Sequence, residues 1–294
     1  MEGHMKRNSA KILIVVLAFT LLFSGCINPD KEEETTTTID MSNVNPSSIG
    51  SYQTMEYQYL TNVDVSCLTT KLDPVYLILV NKQNELDRSY EPASLITLSE
   101  VDVDTTYPMQ LEGVAAKALY AMIEEMKAAG LYDIEVTSAY RSYDKQASTY
   151  DGWVKHESER ISDDAYRVLG QEYIKMNYLE KKINSLNLAD AHKVAQSYSA
   201  QPGQSEHQTG LCVDFITSEM NGNLTEAFEN TEAFAWLAQN AYKFGFILRY
   251  PKDKESITGY TYEPWHYRFV GREAATDIYV GNMTLEQYLQ EVNK

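Results

Sequence analysis

Three short stretches of this chain carry residue types that could do chemistry together. The first runs Ser205-Glu206-His207-Gln208-Thr209-Gly210-Leu211-Cys212-Val213-Asp214. A histidine and an aspartate separated by a glycine turn and the start of a strand can converge on one metal ion. Neutral imidazole and carboxylate both suit zinc, and three protein ligands plus a water make a catalytic site. Taken alone, such a pair serves as readily as a structural hydrogen bond. The second stretch, Glu263-Pro264-Trp265-His266, offers a further imidazole with a carboxylate three residues before it. Zinc lowers the pKa of its water to about 7, and a neighbouring Glu can take that proton and pass it to a leaving amine. Pro264 disfavours a helix here, so this is not the helical His-Glu-x-x-His arrangement; Glu263 by itself could equally be a solvated loop carboxylate. The third stretch, Ser138 to Gln146, holds Arg141 among Ser, Tyr and Gln. A guanidinium grips a carboxylate through two parallel bonds, although an isolated Arg often does no more than pair with a surface acid.

Composition narrows what these residues can belong to. The chain has 294 residues, 44% hydrophobic and 11% aromatic, enough to build a core and to exclude a disordered or fibrous protein. Lys and Arg number 25 against 42 Asp and Glu, a net charge of −17. No nucleic-acid partner is expected, because phosphate neutralisation needs a basic surface. Three cysteines, Cys26, Cys67 and Cys212, argue against a disulfide-stapled scaffold. Tyr is abundant, 22 against 8 Phe, which suits amphipathic ligands such as peptides and sugars but also half-exposed packing.

The N-terminus reads as an address. Lys6, Arg7 and Lys11 precede an apolar run from Ile12 to Phe23, shorter than the ~20 residues of a membrane span and suited to a signal segment. Ser24, Gly25 and Cys26 follow. The pattern resembles a bacterial lipoprotein signal, in which cleavage precedes the Cys and the Cys is lipidated; Phe23 stands where such motifs more often carry Leu. Residues 1–25 are then a signal peptide, and 26–50, rich in Thr, Ser and Glu, a flexible tether from lipidated Cys26.

The folded domain is expected over 51–294. Residues 75–80, an apolar run, read as a strand, as do 134–139, 211–216, 246–250 and 265–270. Residues 112–129 have the helical spacing of an amphipathic helix closed by Gly130, 225–244 read as a second long helix closed by Gly245, and 284–292 as a terminal helix capped by Thr284. Residues 142–199 are mostly helical and polar. Strands and helices mix without a βαβ rhythm, so the class is α+β, a small mixed or antiparallel sheet with flanking helices.

Tyr-Arg-Ser followed by Gln, then S-x-H-x-x-G-x-x-x-D, then E-x-W-H, in this order, resembles the VanY-type zinc carboxypeptidases. That family trims D-alanine from peptidoglycan stem peptides and includes D,D-carboxypeptidases and L,D-carboxypeptidases of the LdcB/DacB kind. The resemblance spans roughly residues 73–290 and implies a Hedgehog/D,D-peptidase-like single catalytic domain. Carried onto this chain, it implies His207, Asp214 and His266 as zinc ligands and Glu263 as general base and acid. Arg141 would hold the terminal carboxylate or the oxyanion, with Ser138, Gln146 and Ser205 as further substrate contacts. Cys212 departs from the Ala common in the family; on a strand it shares a face with Asp214, as a small buried thiol or a rival metal ligand. Residues 151–200 are longer than the usual connection and could form a lid or groove wall. The implied protein is a lipid-anchored, extracytoplasmic zinc peptidase, expected to be a monomer, with stem peptides as partners and the membrane reached through its anchor. An endopeptidase on the same scaffold and a non-catalytic muropeptide-binding lipoprotein remain the alternatives.

Overall fold

Alternation along two strands decides which residues meet. The computed structural model describes residues 57–69, 73–169 and 180–293, so the signal segment, Cys26 and the tether lie outside the described residues. Among the described residues six strands form two sheets. β1 (Leu95–Thr97) pairs antiparallel with β2 (Gln110–Glu112). β3 (Glu135–Ser138), β4 (Cys212–Ile216), β5 (Phe246–Leu248) and β6 (His266–Phe269) make a four-stranded antiparallel sheet in the order β3-β4-β6-β5. Side chains alternate across a strand. Val213 and Phe215 of β4, with Tyr267 and Phe269 of β6, therefore enter the main apolar core. Cys212, Asp214, His266 and Arg268 point the other way, and the register sets Asp214 opposite His266 and Cys212 opposite Arg268.

The core face of that sheet is covered by α1 (Gly113–Ala128), whose Leu119, Met122 and Met126 are fully buried. Side chains of this size contribute about 1.5–3 kcal/mol each on burial. The helix starts where the Glu112 carboxylate accepts from the Val114 and Ala115 amides, and it ends before Gly130, at φ 87°. Glu125, on its buried face, accepts from the Leu60 and Thr61 amides and the Thr61 hydroxyl, tying the segment before residue 69 to the domain. Two helices, α2 (Tyr143–Leu169) and α3 (Glu180–Tyr198), occupy the long connection and pack through Tyr150, Val154, Ala191 and Ala195. The short helices α4 (Glu232–Asn240) and α5 (Glu255–Thr258) flank β5 in sequence. At the C-terminal end α6 (Arg272–Gly281) and α7 (Leu285–Val292) bury Ile278, Leu285 and Leu289 in a second apolar cluster with Leu77 and Val270. Among the described residues no helix is long and apolar enough to cross a membrane.

The α+β class holds, with antiparallel sheets. Two elements differ from expectation. Residues 75–80 are not a strand: Asp73 caps the Val75 amide, Pro74 opens a helical turn, and Pro74–Leu77 is a 3-10 helix. The long helix over 225–244 is broken at Thr231, whose extended backbone (φ −88°, ψ 153°) and hydroxyl, accepting from the Phe234 amide, cap a fresh start at Glu232. What remains is a 3-10 turn Glu226–Asn230, α4, and a second 3-10 turn Ala241–Phe244 ending at Gly245.

Candidate metal centre

His207 sits on a tight 3-10 turn, Glu206–Thr209, that delivers the chain into β4. The turn closes at Gly210 with φ 64°, and a Cβ there would lie 2.8 Å from Leu95 Cδ2 and 3.2 Å from Pro92 Cγ. Only glycine meets both the positive φ and the close approach. Thr209 locks the turn through its hydroxyl to Glu206 O (2.6 Å), and Gln208 anchors it by donating to Asp87 O (2.9 Å) and Tyr90 O (3.2 Å).

The turn aims the imidazole. His207 Nδ1 donates to Ala139 O at 2.6 Å. A carbonyl can only accept, so Nδ1 carries a proton and Nε2 is the nitrogen turned to Asp214 Oδ2, 3.1 Å away, free to ligate once its own proton is displaced. The other carboxylate oxygen, Oδ1, lies 2.8 Å from His266 Nδ1. The two rings stand nearly perpendicular, 85° apart with centroids at 5.1 Å. Behind His266, Nε2 has no hydrogen-bond partner and lies 3.7 Å from Glu206 Oε2. All four residues are buried.

Glu263 stands beside this group, Oε2 3.8 Å from His266 Nδ1, with 13% of its side chain exposed to the cavity. Burial pushes its carboxyl up to about 7; the charge of Asp214 adds to the rise and the imidazoles oppose it. Burial also disfavours a charged His207, but Cys212 and Asp214 overcome it and raise the ring to about 9. Asp214 goes the other way: burial opposes ionisation, and the two imidazoles hold its carboxyl well below the usual range. Two imidazole nitrogens and a carboxylate within 3.1 Å contacts of one another fit a divalent metal of the zinc type, whose binding displaces the protons these groups share.

An open cavity of about 310 Å³ leads to the group. Arg141, Gln146 and Ser205 line it, as do Trp153 and Tyr198 from the α2–α3 pair. Arg141 is fixed by its backbone amide, which donates to His207 O at 3.1 Å, while its buried Nε has no partner. Gln146 donates to Ala200 O at 2.6 Å and leaves its Oε1 unpaired. Ser138 lies deeper, its hydroxyl 3.5 Å from His207 Nδ1 and away from the cavity lining. Trp265 packs on the main core and also lines the cavity. His192 meets the Tyr150 hydroxyl at 3.1 Å and His156 pairs with Glu157 at 3.4 Å, both apart from the centre.

One residue of the site gave no signal in the chain: Glu206. Its Oε1 accepts from Arg249 Nε at 2.9 Å and pairs with Arg268 Nη1 at 2.9 Å, and Arg249 in turn forks onto Glu286 at 2.6 and 2.9 Å. Burial would raise the Glu206 carboxyl, but the two guanidinium groups hold it well below its ordinary 4.5. Its free oxygen faces the back of His266, where a carboxylate fixes tautomer and ring orientation. Glu206 neighbours His207 in the chain, yet its guanidinium partners come from β6 and from the end of β5, so only the register of the sheet reveals the pairing.

The family model of the VanY D-alanyl-D-alanine carboxypeptidases matches residues 108–272, more than half of the chain. The Bacillus subtilis (strain 168) protein YodJ is 35% identical over 287 residues, covering 92% of each chain. Among solved structures, the LdcB LD-carboxypeptidase superposes with a TM-score of 0.57 at 35% identity, over 74% of this chain and 87% of its own. A mutant of the vancomycin resistance D,D-pentapeptidase VanY, from a VanB-type resistance cassette and in complex with Zn(II), superposes with a TM-score of 0.53 at 34% identity, over 73% of this chain and 99% of its own. Fold and site together are those of a small α+β peptidase domain. The chain belongs to the VanY D-alanyl-D-alanine carboxypeptidase family and is an enzyme of the carboxypeptidase class.

Proposed function

We propose that this protein is a zinc-dependent carboxypeptidase that removes the C-terminal D-alanine from peptidoglycan stem peptides. The observation that carries the reading is the convergence of His207 Nε2 and His266 Nδ1 on the two oxygens of Asp214; the Zn(II) complex of the VanY relative supports the choice of metal. His207, Asp214 and His266 would hold the ion. Bound there, zinc would supply Lewis acidity to the scissile carbonyl and would acidify water.

The chain's own groups do the rest. Glu263 takes a proton from the attacking water and returns it to the leaving amine nitrogen, so that the peptide bond breaks and free D-alanine departs. Burial raises its carboxyl and strengthens it as a base, while a cation beside it would lower it again, and that balance suits both taking and returning the proton. Arg141, with a buried unpaired Nε in the cavity, grips the substrate's terminal carboxylate; Gln146 and Ser205 line the same wall, and Ser138 supports His207 from behind. A carboxylate grip makes the enzyme an exopeptidase, because an internal peptide bond has no such group to offer.

The domain over 51–294 carries this activity, with the α2–α3 pair as an inserted cavity wall. It works outside the cytoplasm, held to the membrane by lipid on Cys26 through the 26–50 tether after removal of residues 1–25. Peptides ending in a free acid and in an amide test the exopeptidase reading: the acid is cleaved and the amide is not. Equal cleavage of both would replace it with an endopeptidase.

A further inference from the structure

Cys212 has no part in the proposal above, yet it stands at the centre of the site. It is fully buried, but it belongs to none of the apolar clusters; its neighbours in the chain, Leu211 and Val213, are in the main core and Cys212 is not. Strand alternation turns it to the face of Asp214 and His266. There the ligand atoms of His207, Cys212 and His266 all lie within 4.8 Å of one another. A thiol that only filled space would be lined by carbon. This one is lined by two imidazoles, and the chemistry of a cysteine rather than its packing usually decides its place.

We infer that Cys212 is a thiolate donor to the metal held by His207, Asp214 and His266. The inference rests on the metal reading above and adds a fourth, softer donor to it; catalysis would then need the metal to take water as a fifth ligand. Sulfur next to imidazole favours zinc and its softer neighbours over magnesium, calcium or manganese. Metal binding drives the thiol proton off, so loading the wild-type protein releases one more proton than loading a Cys212→Ala variant.

The test uses the full chain, stripped of metal and titrated with cobalt(II), which reports its donors by absorption. Wild type is expected to show a near-ultraviolet sulfur-to-cobalt charge-transfer band that saturates at one equivalent. The band is lost in Cys212→Ala and in Cys212→Ser, while the visible cobalt bands persist and the variants surrender zinc to a chelator sooner than wild type. Visible bands in wild type without the sulfur band would overturn the inference and leave the three-donor centre standing. A sulfur band that survives in a Cys212 variant would overturn it too, by assigning the sulfur elsewhere. Wild type that binds neither cobalt nor zinc would remove the metal reading itself, and this inference with it.

Discussion

Glu206 Oε2 lies 3.7 Å from His266 Nε2, on the side of the ring away from Asp214. His266 is thereby held between two carboxylates, with one nitrogen for each. Replacing Glu206 by Gln leaves Arg249 and Arg268 buried beside a neutral amide. Losing one partner of a buried ion pair costs about 3–5 kcal/mol, and losing a carboxylate behind a metal-bound histidine costs about 10- to 100-fold in metal affinity. Thermal unfolding and zinc competition on Glu206→Gln check both; a variant with wild-type stability and affinity would leave Glu206 without a role.

The same carboxylate makes stability depend on pH. Its folded value lies below its ordinary 4.5 because Arg249 and Arg268 outweigh its burial. The stabilisation is therefore fully present above pH 4.5 and is lost as the pH falls toward the folded value. The unfolding midpoint of metal-free wild type should drop on acidification below pH 4.5. In Glu206→Gln the drop should be shallower.

Glu263→Gln should keep its metal and lose turnover by about 10²- to 10⁴-fold, the worth of a positioned acid–base. In wild type, activity should fall on acidification as the carboxylate takes up a proton; the metal-free site holds it at about 7 and a bound cation would lower it, so the fall should come below pH 7. The raised value also means that ionised Glu263 costs the metal-free fold stability above pH 4.5, growing up to about 7. Glu263→Gln should then unfold at a higher temperature than wild type at pH 8 and at the same temperature at pH 4.

Arg141→Ala removes the guanidinium but keeps the backbone amide that donates to His207 O. A hydrogen bond to a charged group contributes about 1.5–3 kcal/mol, so kcat/KM should fall about 10- to 150-fold with the unfolding midpoint nearly unchanged. Arg141→Lys should recover only part, because an ammonium cannot form the two-bond fork. An unfolded Arg141→Ala protein would make the residue a structural one.

Gly210→Ala adds a Cβ 2.8 Å from Leu95 Cδ2 at a residue with φ 64°. Strain and overlap together should cost more than about 1 kcal/mol and swing the His207 turn. Circular dichroism melting and zinc affinity should fall together.

How much of this was legible in the chain follows from what each residue answers to. His207, Asp214, His266 and Glu263 were readable as neighbours because local rules position them: a glycine turn, strand alternation, and a proline that keeps helix out of 263–266, where a turn closes with the His266 amide donating to Glu263 O at 3.2 Å. The helix over 113–128 was readable from its own periodicity and the last helix from Thr284 as its cap, to which the structure adds the reciprocal bond from Gln287. Glu206 was not, because a Glu before a His looks like any surface acid until the sheet register brings Arg249 and Arg268 to it. The apolar run after Pro74 misled because a cap and a proline, two residues, outweighed the β-branched composition behind them. Thr231 interrupted a continuous helical pattern for the same reason: one hydroxyl satisfied an amide and started the helix again.

The most direct test of the account follows product mass. The full chain, zinc-loaded or stripped by chelator, is incubated with a stem pentapeptide and a stem tetrapeptide. The account predicts loss of a single alanine mass from one of them with zinc present, none after chelation, and recovery on adding zinc back. Alanine release that is indifferent to chelation, or no release from either peptide by the zinc-loaded protein, would contradict it.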